Sequence, residues 1–280
     1  DFLPLIRRSL FNMMQPFPEL FGISVFAGLA LWEVVLLLSI YSIAFFIKGA
    51  IGVGNVSMMV LFGAMILEPH HAVVLAAMTN FVVQMQFIPE ANRDGNYSVI
   101  RTAIWPYLLG VFVGITLFDY LSATWLTIIL GVSVGALVGL DMFGVMRHLF
   151  DRLNLKSAKS LFPYTSISGL IVGVTGAGGL LMLAFYVKQV LKVPRSIRGT
   201  MLLISVIVSV ARVSGLSIAG FVDLKILTEV LICLPIGFVG GQLGQLFFKQ
   251  LSDKNYHRIL SGIMMFAAII LAVKGISQLI

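Results

Sequence analysis

The sequence predicts an all-α polytopic integral membrane protein. It reads as two inverted-topology repeats of about five helical segments each, with glycine-broken or re-entrant helices meeting near the membrane midplane. Three observations predict this. Of 280 residues, 59% are hydrophobic and only 11% are charged, with a mean hydropathy of +1.02; soluble domains carry about 25% charged residues. The apolar residues fall in long, unalternating runs, which suit helices rather than barrel strands. The pattern of glycines and polar residues in the first part of the chain recurs in the second. This composition excludes a soluble enzyme, a nucleic-acid-binding protein and a disordered chain.

The elements follow in order. Residues 1–19 set Phe2, Leu3, Leu5, Ile6, Leu10 and Phe11 beside Arg7 and Arg8, the pattern of an interfacial segment. The first transmembrane repeat, 20–146, holds apolar segments at 20–47, 55–68, 71–89, 99–118 and 122–146. A polar linker spans 147–160. The second repeat, 161–280, holds segments at 161–175, 179–191, 197–219, 224–248 and 256–279. Cys233, the one cysteine, sits in an apolar run, which leaves no disulfide and no cysteine-rich metal site. No nucleotide-binding, metalloprotease or serine-nucleophile motif occurs, so no catalytic residue, metal or cofactor is predicted.

The duplication is specific. Lys48-Gly49-Ala50-Ile51-Gly52-Val53-Gly54-Asn55 aligns with Val172-Gly173-Val174-Thr175-Gly176-Ala177-Gly178-Gly179 at an offset of 124. A shift of about 125 then sets Asn80 against Ser205, Gln84 against Ser209 and Gly95 against Gly220. Gly110 and Gly114 face Gly237 and Gly241, and Gly131 faces Gly262. A series in order, with a slowly drifting offset, marks an internal repeat. Whether each glycine break joins two spans or folds a re-entrant hairpin, each repeat crosses an odd number of times, so the copies must be inverted.

Charge agrees with inversion. With the linker in the cytoplasm, Arg93, Arg101, Arg147, Arg152, Lys156, Lys159, Lys188, Lys192, Arg195, Arg198, Lys249, Lys254 and Arg258 fall on that side. Arg7, Arg8, Lys225 and Lys274 fall on the other, as the positive-inside rule requires. Both termini are then expected outside, in a bacterial plasma (inner) membrane. The other two cations, Lys48 and Arg212, lie inside the apolar region.

Chemistry concentrates at the two breaks. Three glycines within six residues, matched in both copies, interrupt the helix. Gly110, Gly114, Gly237, Gly240, Gly241 and Gly244 read instead as close helix packing. Beyond each break a new helix begins, with unpaired N–H groups and the positive end of its dipole. The candidate substrate-binding residues of the first copy are Lys48, Gly49, Gly52, Gly54, Asn55, Ser57, Asn80 and Gln84. Asn55 and Ser57 suit the start of its new helix. Those of the second copy are Thr175, Gly176, Gly178, Gly179, Ser205, Ser209 and Arg212. Gly178 and Gly179 would leave backbone bare for close ligand approach. Ser205, Ser209 and Arg212 share one helix face.

A cation at the bilayer centre costs at least about 2.5–3.5 kcal/mol, so it is kept for a function or a partner. The plainer reading pairs Lys48 or Arg212 with Glu33, Asp141 or Glu229. Two helix ends of about half a charge each, with these two cations, bring roughly +3 to one cavity. With no matched acidic pair opposing it, the ligand is an anion. Glu33, His70, His71 and Glu229 are candidates for proton coupling; capping is the plainer role for His70-His71 after Glu68-Pro69.

The paired breaks resemble the sulfite exporter TauE/SafE family. Gly173-Val174-Thr175-Gly176-Ala177-Gly178-Gly179 is similar to its G-x-x-G-x-G-G signature, and Ala219-Gly220-Phe221-Val222-Asp223 resembles its G-x-V-D segment, with Arg212 shortly before. The first copy departs, with Asn55 in place of the last glycine and Gly95-Asn96-Tyr97-Ser98 in place of G-x-V-D. The resemblance implies a secondary transporter for small organic or sulfur-containing anions such as sulfite, sulfoacetate or other C2 sulfonates. The expected partners are that anion and the lipid bilayer, not nucleic acid, with the chain a monomer or homodimer. The competing readings are an anion-selective channel on the same scaffold and a non-transporting structural membrane protein.

Overall fold

The computed structural model describes residues 24–26, 28–145, 158–247 and 253–278. The predicted interfacial segment 1–19 and most of the linker 147–160 lie outside the described residues. The chain is helical, as buried backbone in lipid demands. Its elements are α1 (Leu31–Ile51), α2 (Asn55–Ile66), α3 (Pro69–Val83), α4 (Ile88–Asp94), α5 (Tyr97–Tyr120) and α6 (Ala123–Met142), then α7 (Ala158–Thr175), α8 (Gly179–Val190), α9 (Pro194–Ile218), α10 (Leu224–Phe247) and α11 (Asp253–Ser277). Six helical stretches among the described residues are long and apolar enough to cross a membrane: α1, α3 running on through α4, α5, α6, α9 and α10.

Two boundaries differ from expectation. Among the described residues of the first segment, helix begins at Leu31, and Glu33 accepts the N–H of Ala30 there. The segment expected at 71–89 is not one helix. α3 ends at Val83, a 3₁₀ turn runs from Gln84 to Phe87, and α4 restarts around Pro89. Pro89 has no N–H to give and crowds the carbonyl four residues back, that of Met85, which weakens the α-helical ladder where the 3₁₀ turn lies. The matching helix of the second copy, α9, runs unbroken for 25 residues.

Helix packing repeats when the two copies are exchanged. α1 packs along α10, its counterpart α7 packs along α5, and the equivalent pair α6 and α11 pack on each other. Small residues make these seams. Gly240 and Gly244 lie against the backbone of Ser42 and Phe46, and Gly49 lies on Gly241 and Gly244. In the other seam Gly110 lies against Ser166, and Gly114 meets Gly173. Lipid offers little hydrophobic drive for helix association, so close backbone contact of this kind carries the packing. The packing role expected for these glycines holds.

A side chain at Gly114 has no room: its Cβ would stand 2.5 Å from the Leu170 carbonyl oxygen and 2.7 Å from the Gly173 Cα. Gly114→Val is therefore expected to cost at least about 1–3 kcal/mol by overpacking, read as a lower unfolding midpoint of the detergent-solubilised protein.

Candidate functional site

Both predicted breaks are present. α1 stops at Ile51 and α2 starts at Asn55, with Gly52 (φ 95°) and Gly54 (φ 97°) between them. α7 stops at Thr175 and α8 starts at Gly179, with Gly176 (φ 72°) and Gly178 (φ 80°) between them. These left-handed angles are open to glycine and strained for other residues, which is why the same spacing recurs. Gly54 and Gly178 precede the new helices, and neither helix receives a side-chain cap.

Asn55 and Ser57 do not cap the helix they begin. They reach across the molecule instead. Asn55 Nδ2 donates to Asn80 Oδ1 at 2.8 Å, and Ser57 Oγ accepts the N–H of Gly178 at 3.0 Å. The second bond ties one break to the other.

Lys48, fully buried in the last turn of α1, organises the centre. Its Nζ donates to Asn80 Oδ1 (2.8 Å), Gln84 Oε1 (2.9 Å) and Ser205 Oγ (3.1 Å). Ser205 donates to Gln84 Oε1 at 2.9 Å, and Asn80 Nδ2 donates to Ser209 at 2.9 Å. The ammonium thus spends all three protons on neutral oxygens drawn from α3, the 3₁₀ turn and α9. Glu33, Asp141 and Glu229 are not among its partners.

Arg212 is placed differently. It is 5% exposed, and its Nε and Nη2 have no hydrogen-bond partner among the described residues. A Cβ on Gly176 would fall 2.8 Å from its Nη1, so that glycine leaves the space the guanidinium occupies. Arg212, Gly176, Ser209 and Asn80 line a small cavity, closed by Val56 and Leu180 from the first turns of α2 and α8. The cavity holds about one water molecule. Beside it on α5, the Tyr107 hydroxyl is buried without a hydrogen-bond partner among the described residues and lies within electrostatic reach of Arg212.

Several predicted site residues lie outside this cavity. Thr175 Oγ1 sits 2.6 Å from the Ile171 carbonyl and 2.8 Å from that of Ala177, and it accepts the Ala177 N–H; it shapes the break. The bare backbone expected at Gly178 and Gly179 is covered by protein. Gly178 N–H is taken by Ser57, that of Gly179 by the Ala177 carbonyl, and Gly179 lies against the backbone of Ser168. Gly49 packs on α10.

Arg198, placed by the sequence on the cytoplasmic side, is buried, paired with Glu90 of α4 and donating to the Gly49 carbonyl. Its aliphatic stem fills the space beside Gly52, as Arg212 does beside Gly176. The sequence carried one signal of this: Arg198, Ser205, Ser209 and Arg212 recur at helical spacing on α9. Nothing in the pattern marked Tyr107 or Glu90.

The proton-coupling candidates divide. Glu33 binds the start of α1. His70 bridges Glu68 Oε1 (2.9 Å) and the Leu121 carbonyl (3.0 Å), with its ring stacked on Phe221. His71 and Glu229 bond to each other across α3 and α10.

Lys48 and Arg212 should respond oppositely to removal. Lys48→Met removes three hydrogen bonds to a charged group, each worth about 1.5–3 kcal/mol, and is expected to lower the unfolding midpoint without any ligand present. Arg212→Met removes a buried charge with unmet donors and is expected to leave that midpoint level or raise it. Thermal unfolding of both variants in detergent checks the contrast.

The family model described as Sulfite exporter TauE/SafE matches residues 36–271. No curated protein and no solved structure matches the chain.

Proposed function

Because the chain belongs to the sulfite exporter TauE/SafE family, a family of membrane transporters, we propose that it carries a small anion by binding it at Arg212. The substrate class is sulfite, sulfoacetate or another C2 sulfonate. The carrying observation is a buried guanidinium with unmet N–H donors at a cavity between two uncapped helix starts. A planar, permanently charged fork suits the paired oxygens of a sulfonate or sulfite. The helix starts add positive potential, and the Tyr107 hydroxyl adds one more donor. Lys48 acts one layer out: it fixes Asn80 and, through Asn80, Ser209, both of which face the cavity.

Transport follows from alternating access. The cavity, with room for about one water molecule, is too small for a sulfonate group, so the protein described here is closed around its site. Loading requires the seams around Arg212 to part toward one side, and release requires them to part toward the other. Two copies of one motif, inverted across the membrane, supply two related ways of parting. Arg198 with Glu90 closes the end where α4 meets α9; His71 with Glu229 closes the end where α3 and α10 begin.

A thermal-shift screen of sulfite, sulfoacetate, sulfate and small carboxylates tests the reading. A true ligand at 100 times its Kd raises stability by about 2.7 kcal/mol. We expect a sulfur oxyanion to shift the wild type, no shift in Arg212→Ala, and a partial shift in Arg212→Lys. A full shift in Arg212→Ala refutes the site. Saturation and counterflow in proteoliposomes separate a carrier from a channel, which shows neither.

A further inference from the structure

His70, the second residue of α3, lies between two acceptors. Its Nδ1 is 2.9 Å from Glu68 Oε1 in the loop before α3, and its Nε2 is 3.0 Å from the Leu121 carbonyl just past α5. Burial raises the Glu68 carboxyl, but hydrogen bonds from the His70 ring and from the His71 and His70 N–H groups outweigh it and hold it at about 2. Both partners of the ring, a carboxylate and a backbone carbonyl, therefore lack a proton to give. A neutral imidazole has one N–H and can serve only one of them; an imidazolium serves both. The ring also lies parallel to Phe221 of the α9–α10 connection, within 7°, and its centroid is 4.9 Å from that of Phe118 on α5. Three elements thus meet at one side chain. Capping α3 does not need the ring, because Glu68 Oε2 already accepts the His71 N–H.

We propose that His70 is a proton-binding latch: its doubly protonated ring fastens the start of α3 to the end of α5, and loss of one proton releases one of the two bonds and loosens that end of the protein. If Nδ1 gives up its proton, a lone pair faces the Glu68 carboxylate; if Nε2 does, a lone pair faces the Leu121 carbonyl. Either way one attraction becomes a repulsion. The latch is complete on the acid side of the histidine range and incomplete on the alkaline side. The His70 side chain is 19% exposed and that of Glu68 52%, so protons reach the pair from the surface without crossing the interior. With the linker 147–160 in the cytoplasm this end faces outward, and the latch reads the pH outside. Few groups bear on the ring. The loop before α3 presents Glu68, α5 presents the Phe118 and Leu121 carbonyls, and the α9–α10 connection presents Phe221. His71 of α3 is bonded to Glu229 of α10, and Asp223 of the connection takes the N–H of Ile226. Asp119 of α5 and Lys225 of α10 make no bond to the ring among the described residues. The latch goes beyond the transport reading, and its test needs no anion.

The experiment is hydrogen–deuterium exchange of the purified full-length protein in detergent, followed on the backbone amides of residues 118–125, with each rate divided by its intrinsic rate at the same pH. Such protection reports local opening of this end. In the wild type we expect protection about tenfold higher at about pH 5 than at about pH 8, across the histidine range. His70→Ala, which removes both bonds, should show the low protection at both pH values. Glu68→Gln should reverse the order. On the alkaline side its amide N–H₂ donates to the bare Nδ1 while its Oε1 keeps the His71 N–H; on the acid side the amide and Nδ1–H are two donors face to face. A flat wild-type profile, or either variant keeping the wild-type profile, overturns the proposal. Sulfite binding measured by thermal shift on the same wild-type sample separates this reading from the anion site. Binding with a flat profile sinks the latch alone; a pH-dependent profile without binding sinks the anion site alone.

Discussion

The interior turns on one constraint: a primary ammonium sits where lipid and protein provide no countercharge. Lys48 meets it with three neutral oxygens, held at hydrogen-bond distance by residues from both copies of the repeat. Each of those oxygens is itself fixed by a second bond or by its helix, so the network specifies how α1, α3 and α9 sit relative to one another. An ion pair would have satisfied Lys48 at one point. A spread of amides and hydroxyls lets the charge tie several helices together, while Nε and Nη2 of the neighbouring guanidinium stay unmet among the described residues.

The two breaks resemble each other in backbone and differ in use. Each has two glycines at positive φ, and each has an arginine of α9 lying over its first glycine. Arg198 is committed to Glu90 and the Gly49 carbonyl, whereas Arg212 keeps unmet donors at the cavity. Similar backbone frames thus hold one arginine with a counter-ion and one with unmet donors among the described residues. On the proposed reading, the unmet donors destabilise the empty site until an anion arrives, the usual cost of a binding site held ready for its ligand.

Much of this was legible in the sequence because it rests on hydropathy and on glycine. Long apolar runs have few alternatives to helix, and paired glycines at matched spacing mark where backbone leaves the helical region. Asn80, Gln84, Ser205 and Ser209 could be placed on facing helices because their spacing matched across the repeat. What could not be read was long-range partnership. Asn55 and Ser57 carry a capping signature, yet tertiary contacts with Asn80 and Gly178 outcompete the local bond. Arg198 lies near the start of its segment, and nothing there foretold its pairing with Glu90 or its bond to the Gly49 carbonyl. The break of α3 was foreshadowed by Pro89, but the largely apolar run before it concealed it.

The seams between helices carry a consequence of their own. The leading helix of each copy lies not on its own fourth helix but on that of the other, along glycine-lined surfaces. Cut the chain at the linker and each piece is left with one groove unfilled and one ridge uncovered. A lone piece therefore cannot satisfy its own packing, but two identical pieces could satisfy each other. An arm exchange of this kind is the geometry expected when a single gene first made a paired protein and fusion later made the partnership permanent.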